Sequence, residues 1–399
     1  MARLHSRALE AYLAQDLDRK MVFLGGPRQV GKTTLAKRLL ERFGTEGVYL
    51  NWDSRPDRKR ILNGEWPPET RLVVLDEFHK QTGWKSRLKG IWDTRAPEQR
   101  ILVTGSSRLD VFRRGSDSLM GRYHYWRLHP FTVAEMDGIE LPSGERVNPA
   151  SPPKFTFDKT STAATDLFRL GGFPEPLLAG DERTLNRWRA SRLERLFQED
   201  IRSVEAVQQL GKVELLAEML PARVGSPLSY NSLTGDIEAS NKTVKAWIDL
   251  LARNYYLFHV PPWHRRVERA LKKEPKIYLW DWTEAPSEGP RFENMVASHL
   301  LKFCHFWQDA HGIKAELHYV RDMEKREVDF LVTWNKNPWM LIECKLSGEG
   351  ETRALERFGD QLGVKERYMV GMIGSRDFVD KSNGVRFIPA ARFLRALSV

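Results

Sequence analysis

The chain has 399 residues, of which 63 are Lys or Arg and 53 are Asp or Glu, so its formal net charge is +10 at pH 7. Hydrophobic residues make up 41% and charged residues 29% of the chain, which excludes a disordered, collagen-like or low-complexity protein. At roughly 100–200 residues per domain, this length predicts two to four domains.

Cysteine content and apolar patterning narrow the class of protein further. Cys304 and Cys344 are too few for a disulfide framework or a four-cysteine zinc site. Residues 1–10 lack the apolar core of a signal peptide, and no apolar run approaches the ~20 residues of a membrane helix. We therefore expect a cytoplasmic protein with no membrane role. The positive charge gives nucleic acid a slight preference as partner, although such a charge is also ordinary for a soluble surface.

The first part of the chain alternates short apolar segments with amphipathic ones. Helical spacing covers 35–43 and 84–92. This alternation predicts a parallel sheet covered by helices, forming a domain over residues 1–138. The five predicted strands are 21–24, 48–50, 72–75, 101–104 and 124–128.

A glycine-rich loop lies directly between the first predicted strand and the first predicted helix. It matches the phosphate-binding pattern G-x-x-x-x-G-K-[ST]. Such a loop wraps backbone N–H groups around phosphates, the lysine reaches the β- and γ-phosphates, and the hydroxyl after it is offered to Mg²⁺. We predict that ATP is bound by Gly26, Pro27, Arg28, Gln29, Val30, Gly31, Lys32, Thr33 and Thr34.

An acidic pair, Asp76 and Glu77, follows the buried strand predicted at 72–75. With an intact phosphate loop nearby, this pair is typical of a Walker B motif. Asp76 then holds Mg²⁺ directly or through water, together with Thr33. Glu77 is the catalytic residue that orients and polarises the attacking water. A paired Asp-Glu favours hydrolysis of the nucleotide over binding alone.

The middle of the chain divides into two predicted segments. Residues 139–165 contain several prolines without helical or strand periodicity, which is typical of a linker or surface excursion. Residues 166–275 are expected to form helices, at 185–201 and 205–220 among others, followed by a winged helix-turn-helix. Contact with DNA phosphates and a role in interdomain packing both stay open for its basic cluster. That cluster comprises Lys242, Thr243, Lys245, Trp247, Arg265, Arg266, Arg269, Lys272, Lys273 and Lys276.

The C-terminal residues 276–399 contain a third set of acidic residues. The strand period of two places Glu343 and Lys345 on one face of the segment 339–346. Asp329 lies on the strand before it, and Glu293 opens the preceding helix. This order looks like the PD-(D/E)xK nuclease constellation, in which Glu293, Asp329 and Glu343 bind Mg²⁺ and the catalytic Lys345 orients water. A nuclease fold that has lost its activity is the alternative.

Taken in order, these motifs resemble the prokaryotic AAA-type ATPases of the AAA+ superfamily that carry a C-terminal restriction-endonuclease-like domain of unassigned function. The resemblance rests on the phosphate loop, the acidic pair and several shorter motifs over nearly the whole chain. The sequence departs from it in the proline-rich segment 138–165 and at 279–282. The shorter motifs are Thr-Gly-Ser-Ser at 104–107, Gly-Arg at 121–122, Gly-Gly-Phe-Pro-Glu at 171–175, Lys-Ile-Tyr at 276–278 and Glu-Val-Asp at 327–329.

The resemblance implies further roles around the nucleotide. Proteins of the AAA+ type place an arginine just before the fifth strand, where it reaches the γ-phosphate in a neighbouring subunit, and Arg122 is the candidate here, with Arg108 and Arg114 as rivals. A surface arginine with no such role fits the sequence as well. Thr104 and Ser106 are candidates for sensing the γ-phosphate. A homo-oligomer formed through the ATPase domain is then expected.

We therefore expect an α/β protein with three parts: an N-terminal P-loop parallel sheet with helices on both faces, a middle helical and winged-helix region, and a C-terminal restriction-endonuclease-like domain. The leading hypothesis is Mg²⁺-dependent ATP hydrolysis used as a switch on nucleic acid, with or without coupled cleavage. Two alternatives stay open. They are a regulatory ATPase whose C-terminal domain only docks a partner, and a signalling scaffold that oligomerises with ATP.

Overall fold

The computed structural model describes residues 7–105, 119–139, 147–155, 161–202, 209–264, 274–374 and 376–397. The chain divides into two compact units, Met1–His129 and Pro130–Val399. A five-stranded parallel sheet lies in the first unit and a six-stranded mixed sheet in the second, which confirms the predicted α/β class. Within these described ranges, no helix combines the length and the apolar character that crossing a bilayer requires.

The first unit is a parallel sheet with its helices packed around it. The strands stand in the order β2-β3-β4-β1-β5, and every neighbouring pair is parallel. Each of the five predicted strands overlaps an observed one, whereas α3 was not expected from the sequence. The elements are α1 (Glu10–Leu17), β1 (Met21–Gly25), α2 (Lys32–Glu41), β2 (Gly47–Asn51), α3 (Arg55–Asn63), β3 (Leu72–Asp76), α4 (Trp84–Thr94), β4 (Arg100–Thr104) and β5 (Tyr123–Arg127).

The centre of this sheet is buried on both faces. All five residues of β1 and all five of β3 are buried, as expected where helices cover a parallel sheet on both sides. The apolar side chains of these strands pack with Leu88 of α4 and with Ile61 of α3. Such burial leaves the carboxyl ends of the strands as the place where polar residues can gather.

The second unit begins with helices and a short antiparallel pair of strands. The helix α8 continues into a π-helical turn at Leu196–Ile201, so the single helix predicted over 185–201 changes its winding. Strands β6 and β7 pair antiparallel. The elements are α5 (Val133–Met136), α6 (Ala163–Leu170), α7 (Pro174–Ala179), α8 (Glu182–Arg195), α9 (Leu210–Met219), α10 (Asn231–Ile237), α11 (Asn241–Arg253), β6 (Leu257–Val260) and β7 (Lys276–Leu279).

Gly172 leaves room for the large side chain of Trp282, in the segment 279–282 that departs from the family pattern. A Cβ on Gly172 would lie 2.7 Å from the ring of Trp282 and 2.8 Å from the carbonyl oxygen of Phe131. Trp282 is buried, and its indole N–H donates to the carbonyl oxygen of Leu167 over 2.7 Å. The large side chain at 282 is therefore accommodated because position 172 has no side chain.

The rest of the second unit is a mixed sheet in the order β12-β13-β11-β10-β9-β8. Strands β10, β11 and β13 run parallel, and the other pairs are antiparallel. The helix that Glu293 is predicted to open is α12, which begins five residues earlier. The elements are α12 (Glu288–His311), β8 (Ala315–Arg321), β9 (Glu327–Trp334), β10 (Asn337–Lys345), α13 (Arg353–Leu362), β11 (Glu366–Gly371), β12 (Phe378–Val379), β13 (Arg386–Pro389) and α14 (Ala390–Ala396).

Part of the proline-rich segment packs against this sheet. The ring of Phe155 lies 5.6 Å from that of Tyr368 and 6.3 Å from that of Phe393, measured between centroids. The segments 140–146 and 156–160 lie outside the described residues. Phe155, the last residue of the described segment 147–155, thus contacts β11 and α14. The proposed domain boundaries at 138, 165 and 275 stay predictions.

A buried ion pair joins α5 to α12. Lys302 Nζ lies 2.7 Å from Glu135 Oε2, and the two side chains are only 4% and 2% exposed. Glu135 also belongs to a capping box with Thr132, and the ring of His299 accepts the backbone N–H of Val133 over 3.2 Å. Burial holds the pKa of His299 down at about 4, so that ring is neutral near pH 7. These contacts hold residues 132–136 against the long helix.

We predict that Lys302→Met lowers the free energy of unfolding of the second unit by about 3–5 kcal/mol, because it leaves the Glu135 carboxylate buried without its cation. Lys314→Met is the matched control. Lys314 is 54% exposed and lies 3.5 Å from Glu316, so its loss should cost less than about 1 kcal/mol. Urea unfolding of both variants measures the difference. Equal stability of the two variants would contradict the role given to Lys302.

Candidate functional site

The phosphate loop connects the carboxyl end of β1 to the first turn of α2. Gly26 and Gly31 have φ values of 146° and 99°, and Gln29 is left-handed with φ 61°. A Cβ on Gly26 would lie 2.4 Å from the carbonyl oxygen of Leu128, so only glycine fits there. The loop thus brings backbone N–H groups to the positive end of α2, which is the arrangement that binds phosphate.

The predicted loop residues differ in how much of each is exposed. Lys32 is buried, and its Nζ donates to the carbonyl oxygens of Gly26 over 2.8 Å and of Pro27 over 2.6 Å. Pro27 and Val30 are buried, whereas Thr34 is exposed on α2. Arg28 and Gln29 are half-buried. Lys32 is therefore placed within the loop, and Val30 contributes its backbone while its side chain packs in the core.

Asp76 is the point where the loop meets the acidic pair. Its carboxylate accepts a hydrogen bond from the Thr33 hydroxyl over 2.9 Å. The hydroxyls of Tyr49 and Thr104 also donate to it. Burial, and next the Asp76 carboxylate, raise the pKa of Tyr49 above its usual value, so that Tyr49 stays protonated as a donor. The Asp76 carboxylate is thus held at the loop by three hydroxyl groups from α2, β2 and β4.

Glu77 takes an unusual backbone conformation next to Asp76. Its φ is 57° and its ψ is 20°, a left-handed conformation that is uncommon for a residue with a side chain. Its backbone N–H donates to the carbonyl oxygen of Thr104 over 3.0 Å. Strained residues of this kind often accompany function, because the surrounding structure must hold them in place. At Glu77 the backbone therefore turns out of the direction of β3.

The charge on Glu77 is balanced between burial and nearby cations. Burial raises the pKa of Glu77 above the usual glutamate range, while Lys80 and Lys32 lower it. Lys80 Nζ lies 3.3 Å from the Glu77 carboxylate and 2.5 Å from that of Asp53. Such a balance suits a carboxylate that accepts a proton near neutral pH.

The candidates for phosphate sensing are partly outside the described residues. Ser106 lies outside the described residues, as do Arg108 and Arg114, the rivals of Arg122 for the arginine that reaches a neighbouring subunit. Thr104 is fully buried and donates to Asp76. Its hydroxyl therefore has a role in holding the Asp76 carboxylate.

Arg122 lies at the opposite end of the sheet from the phosphate loop. It precedes β5, whose first residue, Tyr123, pairs in parallel with Met21 at the start of β1. The loop begins after the last residue of β1, about 13 Å further along the strand. Arg122 is 32% exposed, and its Nε lies 3.0 Å from Asp93. The structure therefore does not bring Arg122 to the phosphate loop of its own chain.

The predicted C-terminal residues meet on adjacent strands of the mixed sheet. Lys345 Nζ lies 2.8 Å from Glu343 Oε1, and the backbone N–H of Asp329 donates to Glu343 Oε2 over 3.4 Å. The backbone N–H of Cys344 donates to Asp329 Oδ2 over 3.0 Å. Glu293 lies in the second turn of α12 rather than at its start, and Tyr278 donates to it over 2.6 Å.

Lys276 occupies the middle of this carboxylate cluster, defined here as Glu293, Glu327, Asp329 and Glu343. Its Nζ lies 2.7 Å from Glu327, 3.2 Å from Glu293 and 3.3 Å from Asp329. The residue is only 1% exposed. Of the two roles left open for the basic cluster, contact with DNA phosphates is therefore excluded for Lys276, because its ammonium faces carboxylates in the protein interior.

The cluster strongly perturbs its own ionisable groups. Burial, reinforced by the nearby Asp329 carboxylate, raises the pKa of Glu293 and of Glu343 to about 7. Burial alone would lower the pKa of Lys276, but Glu293, Asp329 and Glu327 outweigh it and raise that pKa above its usual value. Lys276 is therefore charged at neutral pH.

Glu293, Asp329 and Glu343 do not fit the predicted metal site. Within the part of the chain that the structure describes, no three Asp, Glu, His or Cys side chains are placed to share one metal ion. The ammonium of Lys276 instead lies within 3.3 Å of both Glu293 and Asp329. Lys276 therefore provides the positive charge that Mg²⁺ was expected to provide.

The predicted nucleic-acid face on α11 is only partly at the surface. Lys242 and Lys245 are exposed and Thr243 is half-buried. Trp247 lies on this helix as predicted, but it is buried with Val244, so of the two roles left open it fits packing and not contact with DNA. Arg265, Arg266, Arg269, Lys272 and Lys273 lie outside the described residues.

Three segments of the chain match known protein families. Residues 18–137 match the family described as AAA domain. Residues 162–283 match a domain of unknown function (DUF8612), and residues 288–393 match another (DUF4143).

Two curated proteins, each described as uncharacterized, are similar to this chain. One protein of Mycobacterium tuberculosis and one of Mycobacterium bovis are each 23% identical over 263 residues, which is 65% of this chain and 54% of the relative. The chain thus spans about half the length of the curated relatives it matches.

Two solved structures are distantly similar to this chain. The Thermotoga maritima RuvB Holliday junction branch migration motor has a TM-score of 0.30 and 19% identity, over 64% of this chain and 86% of that one. AMPPCP-bound DnaA from Aquifex aeolicus has a TM-score of 0.31 and 13% identity, over 60% and 85%. The match of residues 18–137 to the AAA domain family supports a nucleotide-binding ATPase domain in this part of the chain.

Proposed function

We propose that this protein is a Mg²⁺-dependent ATPase that acts as a switch on nucleic acid. The hydrogen bond between Thr33 and Asp76 carries the first part of the proposal, because it joins the phosphate loop to the acidic pair. A glycine loop alone would support nucleotide binding. A loop joined to an Asp-Glu pair at one sheet edge supports hydrolysis.

The residues at this edge fit a magnesium ion. The Thr33 hydroxyl and the Asp76 carboxylate are hard oxygen ligands of the kind that Mg²⁺ prefers, and they lie 2.9 Å apart. They would hold the ion, which would supply positive charge against the negative charge that develops on the phosphates. The Tyr49 and Thr104 hydroxyls hold this carboxylate without adding a positive charge beside it.

The other residues divide the remaining work. Lys32 binds the phosphates, since its ammonium lies within the loop. Glu77 orients the attacking water and accepts its proton, since its raised pKa brings a glutamate closer to neutral pH.

We predict that Lys32→Ala weakens ATP binding and abolishes hydrolysis, whereas Glu77→Gln keeps binding and lowers kcat by about 10²–10⁴-fold. Lys32 acts on the bound nucleotide, and Glu77 acts only on the water. Titration with a fluorescent ATP analogue and phosphate release measure the two steps. Full ATP turnover in both variants would disprove the assignment.

The pH dependence of turnover provides a second prediction. Glu77 must be ionised to accept a proton, so kcat falls as the pH falls through its pKa. Lys80 lowers that pKa, so Lys80→Met should move the acid limb of the pH–rate profile to higher pH. The measurement is kcat between about pH 5 and 8. Lys59→Met, at an exposed position of α3, should leave the limb in place. A limb that moves equally in both variants would argue against Glu77.

Arg122 is proposed to act across a subunit boundary, because the sheet separates it from its own loop. Arg122→Ala should then reduce kcat by roughly 10³-fold with little change in ATP affinity. Arg71→Ala, which removes an arginine from the exposed pair with Glu46, is the control. Sedimentation with and without ATP tests the homo-oligomer. Wild-type turnover by Arg122→Ala, or by a chain that remains monomeric, would remove this role.

Nucleic acid is proposed as the partner on the observation that Lys242 and Lys245 are both exposed on α11. The element order α10, α11, β6, β7 supports a winged helix, and such a helix can neutralise phosphates. The net charge of +10 favours the same kind of partner. The protein would then bind the phosphate backbone of the nucleic acid without sequence specificity.

We predict that single-stranded DNA, duplex DNA or RNA stimulates ATP turnover, and that Lys242→Glu with Lys245→Glu weakens this effect. Two lost phosphate contacts should reduce the salt dependence of binding, as the slope of log K against log salt, by about 2. Lys325→Glu with Lys336→Glu, at exposed positions of the second unit, gives the same change of charge as a control. Nucleotide-dependent assembly without any effect of nucleic acid would favour the signalling scaffold instead.

The restriction-endonuclease-like fold of residues 276–399 is also a proposal. Its support is a mixed sheet that places Asp329 beside Glu343 and Lys345 on adjacent strands. Nuclease activity is not proposed, because Glu293, Asp329 and Glu343 do not fit a shared metal ion.

A further inference from the structure

We propose that the Lys276 ammonium is the permanent cation of the carboxylate cluster and excludes a divalent metal ion from it. The C-terminal domain would then keep the acidic residues of a nuclease as a structural core. This inference concerns the second unit and is independent of ATP hydrolysis in the first.

The chain itself provides a donor for each oxygen of the two central carboxylates. The two oxygens of Asp329 face Lys276 Nζ over 3.3 Å and the Cys344 N–H over 3.0 Å. Those of Glu343 face Lys345 Nζ over 2.8 Å and the Asp329 N–H over 3.4 Å. A metal ion would have to compete with two ammonium groups for these oxygens. The ammonium groups of Lys276 and Lys345 are thus the counter-ions of these carboxylates.

Lys276 cannot easily move out of the cluster, because its backbone is held on both sides. It pairs with Val260 across the strands β6 and β7, and it forms a bridge with Pro227 on the other side. The neighbouring residues are fixed as well: the Leu228 N–H donates to the carbonyl oxygen of Pro275 over 2.9 Å, and the Tyr319 hydroxyl donates to that of Glu274 over 2.7 Å. The ammonium is therefore a fixed part of the fold.

The cluster also provides a matched way to remove the ammonium. Glu327 is its nearest partner, at 2.7 Å, and is not among the predicted metal ligands. Lys276→Met combined with Glu327→Gln removes one positive and one negative charge. Glu293, Asp329 and Glu343 remain, so the double variant keeps every predicted ligand without leaving an extra buried charge.

The experiment is a titration of the full chain with Mn²⁺, followed by the electron paramagnetic resonance signal of the free ion. All chains carry Asp76→Asn, which removes the metal ligand of the ATPase site. The Lys276→Met, Glu327→Gln chain should bind one Mn²⁺ at least about tenfold more tightly than the chain with native Lys276. Adding Asp329→Asn should abolish that binding. Glu327→Gln alone keeps the ammonium and should bind no better than native.

Each outcome decides the question. A Mn²⁺ site in the chain with native Lys276 that is lost on adding Asp329→Asn would overturn the proposal, whether or not the double variant folds. A folded double variant, checked by circular dichroism, that gains no site would overturn it too. Lys302→Met, which removes another buried lysine, should gain no Mn²⁺ site, and a gain there would show that loosening of the fold, and not Lys276, controls access.

Discussion

The Asp76 carboxylate fixes the geometry of the nucleotide site. A buried carboxylate must have hydrogen-bond donors, because an unpaired charge in the interior is costly. Here the donors are hydroxyls from three separate elements: Thr33 on α2, Tyr49 on β2 and Thr104 on β4. The loop-bearing helix and the two strands flanking β3 are therefore held together at the edge where the loop begins. Glu77 follows directly, and its left-handed backbone is fixed by a hydrogen bond to the same strand β4.

The same rule governs the second unit with a different set of donors. There the buried carboxylates meet Lys276, Lys302 or Arg192, each at about 3 Å or less from its nearest partner. Each of these pairs joins segments that are far apart in the sequence. Breaking such a pair is costly even where forming it adds little, so the pairs specify how the helices and the sheet fit together.

The nucleotide site could be predicted from the sequence because its signals are local. The phosphate loop and the acidic pair each lie within a few residues, directly beside short apolar strands. The helix α3 was missed because only Ile61 of its residues is buried, although its ends are marked: the Ser54 side chain accepts the N–H of Asp57, and Gly64 is left-handed. The capping residues, and not the apolar periodicity, are the sequence signal that predicts this helix.

Trp247 and Lys276, both members of the predicted basic cluster, are buried. Val244, Trp247, Ile248 and Leu251 follow the spacing of one helix face, and all four are buried, so the pattern already indicated a core position for Trp247. Lys276 and Tyr278 alternate on one face of β7, and both contact Glu293. A lysine and a tyrosine in step on a buried strand indicate acidic partners, but which ones depends on how α12 and β9 pack. The sequence alone does not provide that information.

The two sites differ in the charge of their donors, and this difference determines what each can bind. Hydroxyl groups satisfy Asp76 without neutralising it, so the carboxylate stays available to a cation brought in with a nucleotide. Asp329 and Glu343 each have an ammonium group beside one oxygen, which opposes the negative charge as well as providing a partner. Both arrangements meet the requirement that buried polar atoms have partners. Only the first leaves negative charge at the end of a strand, next to a loop that binds phosphate. An acidic motif therefore predicts a metal site only when the donors around it are neutral, and those donors come from other parts of the chain.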